Sequence, residues 1–273
     1  MNGLLKRSLT GIVFVAVMVG CILWCDISMN VLFMLVSLLS TIELCGLLNK
    51  HKQAQLNVPL CSLAAIVLFQ TVYSDNFKCA KLSVLTLLIL SIFISELYRR
   101  KDSPITNLAF SIFSIVYSAV PFALIGVLSS VSENNAGCAS LLPLTVFVLL
   151  WCNDVGAYCF GCTLGKHRLF ERVSPKKSWE GSIGGAAVSV AAVAIVAHCV
   201  PEFGFMPMWK WIGLAVVVVV FGTFGDLAES LMKREMGIKD SGNILPGHGG
   251  ILDRFDSSSF AIPAVSAYLL LVA

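Results

Sequence analysis

The chain has 273 residues, of which 57% are hydrophobic and 13% charged, with a formal net charge of +3 and a mean hydropathy of +0.86. A water-soluble core cannot absorb that much apolar surface, so the composition excludes soluble enzymes and soluble binding modules and points to an integral membrane protein. No nucleic-acid partner is expected.

A helix needs roughly 17 to 25 residues to cross a hydrocarbon slab of about 30 Å. Nine apolar blocks approach that length: Leu9 to Trp24, Asn30 to Leu48, Leu56 to Tyr73, Cys79 to Ser95, Thr106 to Leu128, Leu141 to Phe160, Ser182 to Val200, Trp211 to Leu227 and Phe255 to Leu271. They are apolar all round, without the period-two alternation of barrel strands, so an all-α polytopic membrane bundle of about nine spans is expected. Lys and Arg are retained on the cytoplasmic side of short loops. With the N-terminus inside, 16 of the 19 basic residues fall on that side and only Lys78, Lys81 and Lys210 fall outside. Lys6 and Arg7 before the first block resemble a signal peptide, but no small-x-small cleavage site follows, and the block is expected to stay.

The first five blocks carry little chemistry. Glu43 and Glu96 lie near inner helix ends, where anchoring in the headgroup region is the expected role. Most of the ten cysteines sit inside apolar blocks as small hydrophobes, so no disulfide framework is assigned. Cys159-Phe160-Gly161-Cys162 lacks a second Cys pair or a His-rich neighbour and reads as incidental packing. One membrane domain is expected over residues 1–273, with helices free of motifs over 1–140 and the catalytic helices and loops over 141–273.

Chemistry begins in the sixth block. Asn153 and Asp154 lie within its apolar run, about two turns from the cytoplasmic end, where an ionisable group costs on the order of 3 kcal/mol. Asp154 and Tyr158 share a helical face. A functional role and an interhelical hydrogen bond are equally open there. The following loop holds Gly161 to Lys166 and Ser174-Pro175-Lys176-Lys177-Ser178-Trp179-Glu180-Gly181. A P-loop needs four residues between its glycines and Ser or Thr after the Lys; here there are three and His167, so that reading is rejected.

The eighth block leaves the membrane as Gly225-Asp226 through Lys233-Arg234, with Asp226, Glu229 and Lys233 on one helical face. Lys239 to Asp256 follows, rich in glycine, with His248, Asp253 and Asp256. Carboxylates beside a Gly-rich basic loop are what a magnesium-phosphate site requires: hard oxygens hold Mg²⁺, and Lys and Arg screen the remaining phosphate oxygens. N-capping explains Asp253 or Asp256 alone, but not both with Asp226, His248 and the cations.

At these residues the chain resembles the CDP-diacylglycerol synthases, or phosphatidate cytidylyltransferases. From Ser230 to Asp256 it reads S-x-x-K-R, four residues, K-D, then P-G-H-G-G-x-x-D-R-x-D, with every fixed position filled over 27 residues. Asn153-Asp154 through Lys166, and Ser174 through Gly181, agree with the same family. The resemblance implies that CTP and phosphatidate give CDP-diacylglycerol and pyrophosphate with Mg²⁺, in phospholipid biosynthesis. The nucleophile is an already ionised phosphate oxygen, so the obstacle is anion repulsion, which calls for cations and metal rather than a strong base.

On that resemblance Asp226 and Asp253 are the expected metal ligands, with Asp256 as a third ligand or one behind them. Asp226, Asp253, Lys233, Arg254 and His248 form the expected catalytic set. Asn153, Asp154, Lys166, Ser174, Lys176, Lys177, Glu180, Arg234, Lys239, Gly249 and Gly250 form the expected substrate-binding set. The Gly247 to Gly250 turn is expected to offer backbone N–H groups to phosphate. The resemblance also implies a homodimer in a bilayer, and the short loops point to a bacterial plasma (inner) membrane. Two other readings remain: a CTP-dependent polyprenol kinase, and a transporter, which intramembrane carboxylates can also mark.

Overall fold

The computed structural model describes residues 3–52, 54–74, 79–99, 101–242, 244 and 249–272. It is almost entirely helical. The helices are α1 (Gly3–Trp24), α2 (Asp26–His51), α3 (Val58–Tyr73), α4 (Cys79–Arg99), α5 (Pro104–Ala123), α6 (Ile125–Ala136), α7 (Leu141–Leu164), α8 (Trp179–Cys199), α9 (Met208–Glu235) and α10 (Leu252–Val272). Each expected block falls on helix, the fifth on α5 and α6 together. Among the described residues, seven helical segments are long and apolar enough to cross a membrane, and Leu9–Trp24 and Val58–Tyr73 are shorter apolar helices. The chain is an all-α polytopic membrane protein. Unforeseen is a small antiparallel hairpin, β1 (Arg168–Phe170) with β2 (Ser174–Ser178), which turns the cationic segment between α7 and α8 back on itself.

Helix boundaries follow local chemistry. Cys25 and Ser28 cap α2 reciprocally, Ser28 N–H donating to Cys25 Sγ at 3.4 Å and Cys25 N–H to Ser28 Oγ at 3.1 Å, which satisfies two donors that the first turn leaves open. Pro104 opens α5 where no N–H is needed, and the turn at Leu124, after Pro121, separates α5 from α6.

The helices form two compact units. The first comprises Met1–Val127 and Glu235–Phe255. Here α2, α3 and α5 pack on one another and α4 packs on α3. Phe122 stacks on Phe33 and meets Phe255 edge-on at a centroid distance of 5.3 Å. Polar bonds add to the packing: buried Glu96 accepts from Arg99 at 2.7 Å and from Asn107 Nδ2 at 3.0 Å, tying α4 to α5. Glu96, which the sequence places near an inner helix end, also makes a bond between helices.

The second unit comprises Leu128–Arg234 and Asp256–Ala273. Fully buried Trp211 packs against Phe203 at 4.7 Å and donates Nε1–H to the Phe203 carbonyl at 3.0 Å. Lipid tails are as apolar as a helix interior, so what selects one helix pairing here is close backbone approach and polar bonding. Both are concentrated where α7 meets α8.

Candidate active site

Gly181, Gly185 and Ser189, four apart on α8, face Ala157, Asn153 and Leu149, four apart on α7. A Cβ on Gly181 would lie 2.8 Å from the Ala157 carbonyl oxygen, and one on Gly185 would lie 2.7 Å from that of Asn153. Ser189 Oγ donates to the Leu149 carbonyl at 3.1 Å. Small residues at this spacing let two helix backbones touch. The seam holds the Asn153 side chain in a buried position, and its Oδ1 has no hydrogen-bond partner among the described residues. One turn below, Ser178 caps α8 by accepting from Gly181 N–H at 3.1 Å.

A second close approach joins α9 to α10. A Cβ on Gly225 would meet the Asp256 carbonyl oxygen at 2.6 Å, so the two helices bring Asp226 and Asp256 near each other. Asp256, half-buried, stands within electrostatic reach of Asp226, Lys233 and Asp154.

Between α7, α8 and α9 lies a polar cavity of about 200 Å³, lined by Asn153, Asp154, Ala157, Tyr158, Lys177, Ser178, Gly181, Ser182, Thr223 and Asp226. The Lys177 ammonium pairs with Asp226 Oδ2, and Ser230 Oγ donates to Asp226 Oδ1 at 3.3 Å. Lys233 pairs with buried Glu229 at 3.1 Å. Cation and carboxylate thus meet in a pocket of an otherwise apolar helical unit, at residues 223 to 233 on one side and 153 to 182 on the other.

The cationic hairpin is ordered by Glu180. Its carboxylate accepts from the backbone N–H groups of Lys166 and His167 at 3.1 and 3.2 Å, and Oε1 meets His167 Nδ1 at 2.6 Å. Ser174 pairs with Phe170 in the hairpin. Lys166, Lys176, Arg234, Lys239 and Arg254 are exposed. Gly247 and His248 lie outside the described residues.

In the first unit the glycine-rich segment is organised by two carboxylates. Asp253 Oδ2 accepts from Ser241 N–H at 2.8 Å, Ser241 Oγ at 2.9 Å and Gly250 N–H at 2.8 Å. Glu43, from α2, accepts from Ile251 N–H at 2.8 Å and stands with Asp253 at the Ser241 hydroxyl, whose single proton the two carboxylates share. The Gly250 N–H, expected to face phosphate, therefore donates to Asp253, because a carboxylate three residues ahead at the start of α10 reaches it first.

Comparison with known proteins gives a family. The cytidylyltransferase family model matches residues 5–272. A phosphatidate cytidylyltransferase of Staphylococcus haemolyticus is 33% identical over 97% of this chain and 98% of its own length. One from Staphylococcus aureus is 32% identical with the same two coverages, and one from Staphylococcus epidermidis is 34% identical over 88% of this chain and 90% of its own. The chain belongs to the cytidylyltransferase family.

For a cytidylyltransferase, the cavity contains residues that motif reading passed over. Thr223 and Ser182 are single hydroxyls in apolar helices, and nothing in their spacing separates them from packing residues. Glu43 had a visible signal, a carboxylate near the end of an apolar helix, which was assigned to the headgroup region. Burial at 9% exposure places it inside the unit instead.

Proposed function

We propose that this chain transfers the cytidylyl group of CTP to phosphatidate at the cytoplasmic face of a bacterial plasma membrane, working as a homodimer, and that the polar cavity of the second unit is where its anionic substrates are held. A phosphatidate oxygen forms a bond to the α-phosphorus of CTP, the bond from that phosphorus to the bridging oxygen breaks, and pyrophosphate carries away the electron pair. The products are CDP-diacylglycerol and pyrophosphate, and no proton need be removed from the nucleophile.

One observation carries the site assignment: an ion pair, Lys177 with Asp226, lines a cavity beside a buried amide oxygen, Asn153 Oδ1, that has no partner. A buried polar atom left unbonded costs about 1–3 kcal/mol, so a site with one is suited to a ligand that completes it. The donor chemistry also fits Mg²⁺. Among the described residues no three His, Cys, Asp or Glu side chains converge to hold a metal by themselves, but one or two carboxylates suffice when phosphate and water supply the other oxygens. Asp226, with Asp256 near it, would hold the ion in this unit; Asp253 is proposed as a ligand on the motif match alone. Mg²⁺ bound there would neutralise charge developing on the triphosphate.

The remaining work falls to side chains of the chain itself. Lys177, at the cavity wall beside Asp226, would screen a phosphate oxygen there. Lys233, Lys176, Lys166, Arg234, Lys239 and Arg254 lower the repulsion between two anions that must approach.

Purified protein in phosphatidate-containing micelles, supplied with labelled CTP, tests the reading. Asp226→Asn should reduce labelled lipid by about 100-fold or more, the scale on which lost electrostatic stabilisation shows. A folded Asp226→Asn variant with a near-normal rate sinks the site assignment. Label passing to a polyprenol instead of phosphatidate sinks the substrate assignment.

A further inference from the structure

We infer that Glu43 is a positioning residue for the motif segment that ends in Asp253 and Arg254, a role that no motif signals and that rests on that segment belonging to the reaction site. Glu43 sits in α2, in sequence far from the motif, and it is buried. One carboxylate oxygen takes the Ser241 hydroxyl, and the other takes the Ile251 N–H at 2.8 Å. Asp253 joins the same two stretches of chain, through Ser241 and Gly250. The segment is thus pinned twice between its beginning and its end, once by its own carboxylate and once by a carboxylate that a membrane helix supplies.

The space around Glu43 is shaped for that carboxylate. A Cβ on Gly250 would lie 1.8 Å from Glu43 Oε1 and 2.3 Å from Ser241 Oγ, and one on Gly242 would lie 3.1 Å from Glu43 Cδ. A side chain at position 250 would therefore overlap the Glu43 carboxylate, and one at position 242 would press on it. Gly249, at φ +85°, would bring a Cβ within 2.4 Å of Asp253 Oδ2, so the neighbouring turn closes around Asp253 in the same way. The glycines, read from sequence as openings for phosphate, make room for two carboxylates of the chain.

The consequence is pre-organisation. Asp253 and Arg254 follow directly on the pinned turn, and Phe255 packs on Phe122 of α5, so their orientation is set before substrate arrives. Without Glu43 the Ile251 N–H loses its acceptor and the Ser241 hydroxyl keeps only Asp253, so the turn is held from one side alone and can reorient. Misplacement of a reacting group by about 1 Å can lower turnover about 100-fold.

Glu43→Gln keeps an acceptor for Ile251 N–H and offers an amide N–H to Ser241 Oγ; Glu43→Ala keeps neither. In the detergent-solubilised full chain, Glu43→Ala should lower kcat by about 10- to 100-fold with the KM for CTP changed less than threefold. Glu43→Gln should restore kcat to within about threefold of wild type. Thermal unfolding, run on each variant, separates lost positioning from lost fold. If Glu43→Ala unfolds outright, Ser241→Ala, which removes the hydroxyl that Glu43 and Asp253 share but keeps the Ser241 N–H bond to Asp253, should show the same kcat effect in weaker form. A folded Glu43→Ala with normal kcat, a normal Ser241→Ala, or a Glu43→Gln as impaired as Glu43→Ala overturns the inference. Asp226→Asn measured in parallel keeps the two readings apart: if it is inactive while Glu43→Ala is normal, only the positioning role fails.

Discussion

The α7–α8 seam makes a sharp prediction about one methyl group. In Gly185→Ala the new Cβ would sit 2.5 Å from Asn153 Oδ1, 2.7 Å from the Asn153 carbonyl oxygen and 3.2 Å from Ala157 N. The side-chain oxygen can swing away, but the carbonyl oxygen is part of α7 and moves only if the helices separate by several tenths of an ångström. Overpacking of this kind costs about 1–3 kcal/mol. Ala in place of Gly within a helix returns roughly 0.5–1 kcal/mol, leaving a net loss of up to about 2.5 kcal/mol. At about 2–4 °C per kcal/mol for a chain of roughly this size, the unfolding midpoint in detergent should fall by a few degrees. Catalysis should fall further, because the displaced Asn153 amide lines the cavity. Gly46→Ala in α2 is the control: nothing lies within 4 Å of its Cβ position, so the same substitution should be neutral or slightly stabilising. If Gly185→Ala and Gly46→Ala both match wild type in midpoint and rate, the seam is not packed as described.

Three further outcomes follow from the same geometry. Ser189→Ala removes the bond to the Leu149 carbonyl and should lower stability by about 0.6 kcal/mol, the average for such intramembrane bonds, with turnover unchanged; equal unfolding midpoints would show that the bond carries nothing. Gly249→Ala must adopt φ +85° with its Cβ against Asp253 Oδ2, so about 1–2 kcal/mol of backbone strain should appear as a larger loss of turnover than of stability; normal turnover would refute the close fit of that turn. Chelation of divalent cations should stop product formation and added Mg²⁺ should restore it, whereas an unchanged rate in excess chelator would remove the proposed metal from Asp226.

How far the site could be read in advance depends on the kind of signal. Asp226, Lys177, Asn153 and Asp154 stood out as ionisable or amide groups in or beside apolar runs, where they are expensive enough to need a reason, and all four line one cavity. Glu43 stood out equally but was assigned elsewhere. Hydropathy tells how long a helix is and not which side of it meets other helices, so a carboxylate near a helix end looks the same whether it faces headgroups or a buried serine. The hairpin at Arg168–Ser178 escaped for a different reason: its strands are too short for periodicity to register, and Pro175 argues against a strand except at an edge.

The sequence alone determined that this protein is an all-α membrane protein, because apolar length has few physical solutions in a bilayer. It also determined the chemistry of the family, because a phosphate-transfer motif must keep its glycines, cations and carboxylates in fixed local order. Only the tertiary structure decided which distant groups meet: Glu43 with Ser241 and Ile251, Lys177 with Asp226, and Asn153 with the gap at Gly185. Those pairings join residues far apart in the chain and depend on helix faces and close backbone approach, which arise only when the helices have packed.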